Sequence, residues 1–355
     1  MTEQDFQFFK ELVEAPSPSG FEQPAQRVIR RVLDGVVDEL RTDVLGNVIA
    51  TVNGPAAAPR LMLAGHCDEI GFMIKYIDER GFLFFAPIGG VDAHLVPGQR
   101  VTVHAAGGPV PGVVGRRPIH QLETAERDKV MPFKSQFIDI GCPDRAAAGA
   151  LVAVGDPVTF AVGVERLQGT RVTSRAFDDK IGAYVVAQVL REVRRRGDQQ
   201  VTLVGVSTVQ EEVGLRGGTA SAYGIRPDLG IAVEVGFASD YPDADHKQAG
   251  EIRLGQGPIL ARGPNINPVL FELLVATARE ENLPFQVMGI PRASGTDANV
   301  MQLARGGVAT ALISVPLRYM HTPVEVLDLD DLEKTVQLLA ALCARIVPGH
   351  SFIPA

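Results

Sequence analysis

Two adjacent carboxylates, Glu211 and Glu212, stand in the stretch Thr208-Val209-Gln210-Glu211-Glu212-Val213-Gly214, just after an apolar run from Val201 to Val206. That run reads as a buried strand. Neighbouring side chains at a strand end point to opposite sides, so such a pair can divide its work, one carboxylate holding a metal and the other handling a proton. Two solvated glutamates in a loop would look the same in isolation. What favours chemistry is the company of His66, Asp68, Asp178, Glu234 and His321, each in or beside a predicted strand.

His66-Cys67-Asp68 follows the strand-like Leu61-Met62-Leu63-Ala64. Residues two apart on an extended chain face the same way. His66 could bind a metal through one ring nitrogen while Asp68 orients a nearby group; a polar strand end is the plainer alternative. Phe177-Asp178-Asp179-Lys180 sits at a strand-to-helix junction. One aspartate there serves as a helix cap. The other has no structural need and is placed to bridge two cations at the C-terminal edge of a sheet, where open α/β proteins put their sites. Glu234 interrupts the apolar Ile231-Ala232-Val233-Glu234-Val235. A carboxylate there needs a partner, and a cation is a simpler one than a salt bridge. His321 follows the strand ending near Val315, where a surface-loop histidine is an equal reading. His94, His104, His120, His246 and His350 lack such surroundings and read as surface or structural.

The set is two histidines and three or four carboxylates. Mixed imidazole and carboxylate donors suit zinc, cobalt or manganese better than calcium or magnesium. Five protein ligands exceed what one tetrahedral zinc needs. Two divalent metals about 3.5–4 Å apart, sharing one carboxylate and one water, would use them all. Such a water ionises near neutral pH, and an unligated carboxylate could take its proton and pass it to a leaving amine. The chemistry is metal-assisted hydrolysis, with an amide as the expected substrate.

The elements that must position these residues alternate between helix and strand. Apolar positions at Phe6, Phe9, Leu12 and Val13 predict a helix over 3–14, ended by Pro16 and Pro18. Ser19-Gly20-Phe21-Glu22 opens a second, to about Leu33. Strands are expected at 36–42, 48–52 and 60–64, with Gly46-Asn47 as a turn. From Phe72 to Phe160 the chain becomes short β-rich pieces punctuated by Gly and Pro, with 143–150 as the one helical candidate. That pattern predicts a small inserted β-barrel or sandwich. From Asp178 the alternation resumes: a helix to about Arg196 stopped by Gly197, strands at 201–206 and 229–235, and a helix opened by Asn267-Pro268. Strands at 286–290 and 308–315 flank a short helix capped by Thr296 or Asp297, and Asp328 or Asp330 starts the last helix. The expected fold is α/β: a mixed, mostly parallel sheet with helices on both faces, plus the insertion.

A chain of 355 residues suggests about two domains at roughly 150 residues each. With 46% hydrophobic and 21% charged residues it can build a large core. A net charge of -8 argues against nucleic acid and anionic membrane as partners. No apolar run reaches the roughly 18 residues of a membrane span, and no secretory signal is visible in Met1-Thr2-Glu3-Gln4-Asp5. Three cysteines at no metal-finger spacing fit a reducing, cytoplasmic setting.

Seven motifs occur in order: Ser17-Pro18-Ser19-Gly20-Phe21-Glu22, Asp43-Val44-Leu45-Gly46-Asn47-Val48, Gly65-His66-Cys67-Asp68-Glu69-Ile70-Gly71-Phe72, Phe177-Asp178-Asp179-Lys180-Ile181-Gly182, Gln210-Glu211-Glu212-Val213-Gly214, Ser294-Gly295-Thr296-Asp297-Ala298 and Arg318-Tyr319-Met320-His321-Thr322-Pro323. Each is weak singly; together the chain resembles, over nearly its whole length, the dinuclear-metal aminopeptidases that assemble as tetrahedral dodecamers. That family includes glutamyl, lysyl and leucyl aminopeptidases, and some members carry an old endoglucanase label. The resemblance implies that His66 and His321 each bind one of two zinc or cobalt ions, manganese being a further option. It implies that Asp178 bridges both and that Asp179 comes next across an unusual cis peptide. Glu211 would be the general base, Glu212 and Glu234 ligands, and Asp68 the residue orienting His66. The zinc-peptidase-like catalytic domain would comprise residues 1–71 and 161–355. The PDZ-like insertion, 72–160, would be the dimerisation domain that builds a homododecamer from dimers. Two positions depart from the family pattern: Glu234 stands where Asp is usual, and Cys67 where a larger apolar residue such as Met is common. A longer carboxylate arm still chelates, and a thiol there reads as a small core residue.

The implied substrates are short peptides with free N-termini. An acidic residue near the metals would recognise the α-amine. The side-chain pocket would draw on Ile290–Asp297 and on Arg318-Tyr319, with Arg292, Asp297 and Arg318 as substrate-binding candidates. A cationic Arg292 would favour acidic N-terminal residues, or lie idle on the surface. Three rival readings are a related deacylase or carboxypeptidase, a glycoside hydrolase using the Glu pair, and a non-catalytic assembly protein of the same fold. Adjacent strand-end carboxylates diverge, which makes the glycosidase spacing awkward.

Overall fold

The computed structural model describes residues 1–354. Its centre is an eight-stranded sheet, in spatial order Glu39–Thr42, Val48–Val52, Thr202–Thr208, Arg60–His66, Leu229–Phe237, Ala309–Leu317, Ile259–Arg262 and Gln286–Gly289. The four middle strands, from Thr202–Thr208 to Ala309–Leu317, are parallel. Their near-continuous apolar runs, such as Leu61, Met62, Leu63 and Ala64, are buried throughout, as strands covered on both faces must be. Antiparallel pairings flank this centre on either side.

Alternation along the strands shows that the two faces are covered by different helices. A side chain at Gly205, level with Leu63, would meet Val186 and Leu190 of the helix Phe177–Arg196. One at Gly230, level with Met62 and so on the opposite face, would meet Met301 of the helix Asp297–Gln302. The terminal helix Leu329–Arg345, capped by Asp328, completes the scaffold.

The strands Gly71–Ile77, Leu83–Ile88, Arg100–Ala105, Gly108–Val114, Ile138–Asp139 and Pro157–Phe160 close into a barrel. It has its own core, in which Phe72 meets Phe85 and Phe160 edge-on at 4.9 and 5.3 Å. A third, three-stranded antiparallel sheet joins Glu165–Arg166, Arg171–Ser174 and Glu325–Asp328.

Several boundaries differ from the sequence expectation. The strand expected from residue 36 begins at Glu39, because the chain first turns through Gly35 at φ +70°. The barrel region holds a short helix, Thr124–Arg127, besides Arg145–Gly149. The strands Ile259–Arg262 and Glu325–Asp328 are four residues each, too short to show a period. No helix among the described residues is long and apolar enough to cross a membrane.

The helix Phe177–Arg196 carries the two adjacent aspartates on its first turn, beside the central strands. Asp178 and Asp179 are joined by a cis peptide and are not helical; Asp179 Oδ1 accepts from the Gly182 amide at 2.9 Å, capping the regular turns beyond it. Gly197, at φ +66°, ends the helix. Two glycines let helix and sheet approach closely: a Cβ on Gly182 would collide with the Val233 carbonyl oxygen and the Asp179 carboxylate, and one on Gly65 with the backbone of Gly182. Gly→Ala inside a helix ordinarily stabilises by about 0.5–1 kcal/mol. Gly182→Ala should instead destabilise by about 1–3 kcal/mol through overpacking, read as a lower urea midpoint.

Candidate metal centre

Five chain segments supply the centre, four of them in or after the parallel strands and one at a helix start. His66 is the last residue of Arg60–His66 and lies level with Thr208 of the neighbouring strand. Glu211 and Glu212 come after that neighbour, Glu234 lies in Leu229–Phe237, and His321 sits in the loop after Ala309–Leu317. Asp178 enters from the helix start between them. Its Oδ1 is 3.2 Å from His66 Nε2, and its Oδ2 is 3.1 Å from His321 Nε2. Glu234 Oε2 lies 3.7 Å from His66 Nε2, and Glu212 Oε1 lies 3.4 Å from His321 Nε2. Two donor clusters result, His66–Asp178–Glu234 and Asp178–Glu212–His321, with the donor atoms of each within 4.8 Å of one another. Glu211 Oε2 is also 3.7 Å from His66 Nε2. It belongs to neither of the clusters that share Asp178, though His66, Glu211 and Glu212 form a third compact group.

Each histidine is fixed at its other nitrogen. His66 Nδ1 lies 3.0 Å from the Asp68 carbonyl oxygen, and His321 Nδ1 lies 2.9 Å from that of Gly90. A carbonyl only accepts, so Nδ1 carries the proton and Nε2 faces the carboxylates as a donor atom. A metal fits these residues: Glu234 Oε1 is buried with no hydrogen-bond partner among the described residues. The charge contacts of Asp178, Glu211, Glu212 and Glu234 among the described residues are to imidazoles. Burial raises Glu234 well above the usual carboxylate range, lifts Glu211 to about 8 and raises Glu212. Burial disfavours a charged His66, but Glu211, Asp178 and Asp68 outweigh it and raise the ring. Hydrogen bonds to Asp178 and Glu212 take His321 to about 11. Burial pushes Asp178 up, yet the two imidazoles hold it below the usual range. So much converging negative charge calls for positive charge, whether protons or cations.

Beneath these side chains lie carboxylates that hold backbone. Asp68 Oδ1 and Oδ2 accept from the amides of Glu211 and Glu212 at 3.0 and 3.1 Å, and Oδ2 takes the Ser19 hydroxyl at 2.7 Å. Its carboxylate is 3.4 Å from His66 Nδ1, farther than its own carbonyl oxygen. Glu22 Oε1 accepts from Gly20 at 2.6 Å and from Gln210, a residue at φ +56°, at 3.2 Å. Glu325 Oε2 accepts from Phe177 and Asp178, and its Oε1 from His321. Glu69 pairs with both Arg175 and Lys180, and Lys180 Nζ also reaches the carbonyls of Val13 and Ala15.

Sequence reasoning assigned no role to Glu22, Glu69 or Glu325. Glu325 carried a usable signal: it interrupts the apolar Val324-Glu325-Val326-Leu327 just as Glu234 interrupts its strand. The three substrate-binding candidates have different surroundings. Arg318 forms a two-pronged ion pair with Asp240, at 2.8 and 2.7 Å, so its charge is already engaged. Asp297 is wholly buried and accepts from the Thr208 hydroxyl at 2.7 Å. Arg292 is exposed.

Two imidazoles and four carboxylates gathered at the ends of the central strands suit a metal-assisted hydrolase. The chain belongs to the M42 glutamyl aminopeptidase family, whose profile matches residues 46–338. It is 38% identical to the lysyl aminopeptidase of Pyrococcus furiosus over 347 residues, covering 97% of this chain and 98% of that one. Its structure is similar to a TET aminopeptidase from a marine sediment archaeon of the Thaumarchaeota, with a TM-score of 0.93, 33% identity and 97% of each chain covered. It is also similar to a TET1 peptidase of Pyrococcus horikoshii, described as assembling into a tetrahedron or a large octahedral shell. The TM-score there is 0.85 at 28% identity, covering 96% of this chain and 99% of that one. The chain is thus a peptide hydrolase of the metallo-aminopeptidase kind.

The Glu69 network beneath the centre has a measurable consequence. Burial alone would raise Glu69, but Arg175 and Lys180 hold it below the usual range. Glu69→Gln leaves two cations buried without their counter-charge, a loss of about 3–5 kcal/mol at pH 7. A lowered folded pKa makes the stabilisation complete above about pH 4.3 and lost as pH falls through the folded value. Urea unfolding of wild type and variant should therefore differ at pH 7 and converge on acidification.

Proposed function

We propose that this chain is a dinuclear aminopeptidase that releases N-terminal residues from short peptides, with Glu211 as general base. The observation that carries this reading is Asp178, whose two oxygens face two different imidazoles. His66 and Glu234 would hold one divalent cation, Glu212 and His321 the other, and Asp178 both. Zinc or cobalt suits these donors, and manganese shares the preference for imidazole with carboxylate. When bound, such ions supply Lewis acidity to the scissile carbonyl and bring a water's pKa toward neutrality. Glu211, left outside the two clusters that share Asp178, would take the proton of the attacking water and deliver it to the departing amine nitrogen. Water adds to the carbonyl carbon, the carbon–nitrogen bond breaks, and the products are a free amino acid and a shortened peptide. Burial sets Glu211 at about 8, high for a carboxyl, and neighbouring cations would draw it down toward a working base.

Residues 72–160 are read as the inserted dimerisation domain of a catalytic domain spanning 1–71 and 161–355. Assembly of such dimers into a homododecamer is supported by a similar solved structure described as a dodecamer and by the tetrahedron described for the Pyrococcus horikoshii peptidase. Three free cysteines, Cys67, Cys142 and Cys343, suit a cytoplasmic setting.

Aminoacyl chromogenic substrates, screened with zinc, cobalt and manganese in turn, should be cleaved only with a free α-amine. Turnover confined to N-blocked substrates would point to a deacylase. Glu211→Gln should keep both metals and the assembly while kcat falls about 10²–10⁴-fold; unchanged kcat removes Glu211 as the base. His66→Ala or His321→Ala should each lower the metal content found by elemental analysis.

A further inference from the structure

We propose that Glu325 is the positioning residue for the second cation cluster: its carboxylate locks the His321 loop to the Asp178 backbone. The proposal rests on the two-cation reading of the centre. Glu325 opens the strand Glu325–Asp328 and lies level with Ser174 of Arg171–Ser174, so the small sheet brings it under the centre. It is 2% exposed. Oε2 accepts from the amides of Phe177 at 2.6 Å and Asp178 at 3.2 Å, and Oε1 accepts from the amide of His321 at 2.9 Å.

The backbone it holds is strained. Ala176 precedes Phe177 at φ +61°, and Tyr319 and His321 stand at φ +61° and φ +62°, all without being glycine. Each such residue is disfavoured and persists only where its surroundings fix it. The loop is closed at its base by paired backbone bonds between Arg318 and Val326, at 2.9 and 3.1 Å. At its tip, the His321 amide is bound only to Glu325 among the described residues. Three donors converge on one group, so that group must be acceptor-only on both sides. A carboxylate meets this demand; a carboxamide does not. In Glu325→Gln the single amide oxygen would face the two donors of Phe177 and Asp178, and its NH2 would oppose the His321 N–H. Asp178 would stay in place while His321 lost its backbone anchor and kept the Gly90 carbonyl on its ring. The cluster of His66 and Glu234 would be spared, and that of Glu212 and His321 loosened.

The test is Co²⁺ titration of the full-length metal-stripped chain, read by calorimetry and by elemental analysis after gel filtration. Wild type should bind two ions. Glu325→Gln should keep the first affinity and weaken the second at least about tenfold, with an unchanged far-UV spectrum. Glu325→Asp stays acceptor-only but is one carbon short, so it should weaken the second site less; it also serves if the Gln variant does not fold. His321→Ala combined with Glu325→Gln should bind the second ion no worse than His321→Ala by itself, because both act through one side chain. Additive losses, equal weakening of both ions, or two ions bound as tightly in both Glu325 variants as in wild type would each overturn the positioning role. If the wild-type chain itself takes up fewer than two ions, the two-cation reading falls and this proposal falls with it.

Discussion

Asp178 presents one oxygen to His66 and the other to His321, at 3.2 and 3.1 Å. This places a single short side chain between two imidazoles that come from segments more than 250 residues apart. It also fixes a spacing that Glu212 and Glu234 must match from either side. Four carboxylates meeting in a largely buried place repel one another and resist desolvation. The fold therefore has to hold them against their own electrostatics, and most of their surroundings are explained by that demand.

The holding is done by further buried carboxylates acting on backbone rather than on side chains. Asp68 takes the amides of Glu211 and Glu212, Glu22 takes that of Gln210, and Glu325 takes those of Phe177, Asp178 and His321. Gln210 and His321 are non-glycine residues at positive φ, each costing on the order of 1–3 kcal/mol. The hydrogen bonds from these amides oppose that cost and keep the loops in place. Glu69, Arg175 and Lys180 tie the same region to the end of the first helix, Glu3–Glu14, through the Val13 and Ala15 carbonyls. Lys180 is buried yet keeps a counter-charge, which is what prevents its burial from costing the fold heavily.

The barrel is not a detached appendage, although it has a core of its own. The segment after Leu83–Ile88 carries Gly90, whose carbonyl oxygen fixes His321 Nδ1. A side chain at Gly90 would lie 3.1 Å from that nitrogen, and one at Gly89 would press on Glu212. Two glycines thus allow the barrel's backbone to reach the cluster of Glu212 and His321 without displacing it. The His321 ring is in direct contact with the barrel's backbone.

Local pattern was enough to read the alternation of helix and strand, the barrel stretch from its short Gly- and Pro-punctuated pieces, and the strand-end setting of His66, Glu211 and Glu234. Hydrophobic period and turn chemistry depend on neighbours within a few residues, so they are written in the chain. The residues that would form the two clusters were likewise legible, because a carboxylate amid apolar residues, as at Glu234, stands out without any coordinates. Strand order was not legible: Thr202–Thr208 lies between Val48–Val52 and Arg60–His66, and no local signal encodes that crossing. Only the folded chain decided that the Asp68 carboxylate, besides lying beside His66, takes the amides of Glu211 and Glu212. Only it decided that Asp240 engages the charge of Arg318, that Asp297 lies in the interior, and that Glu325 joins two loops. Those outcomes depend on which distant segments the sheet and barrel bring within about 3 Å, the reach of a hydrogen bond.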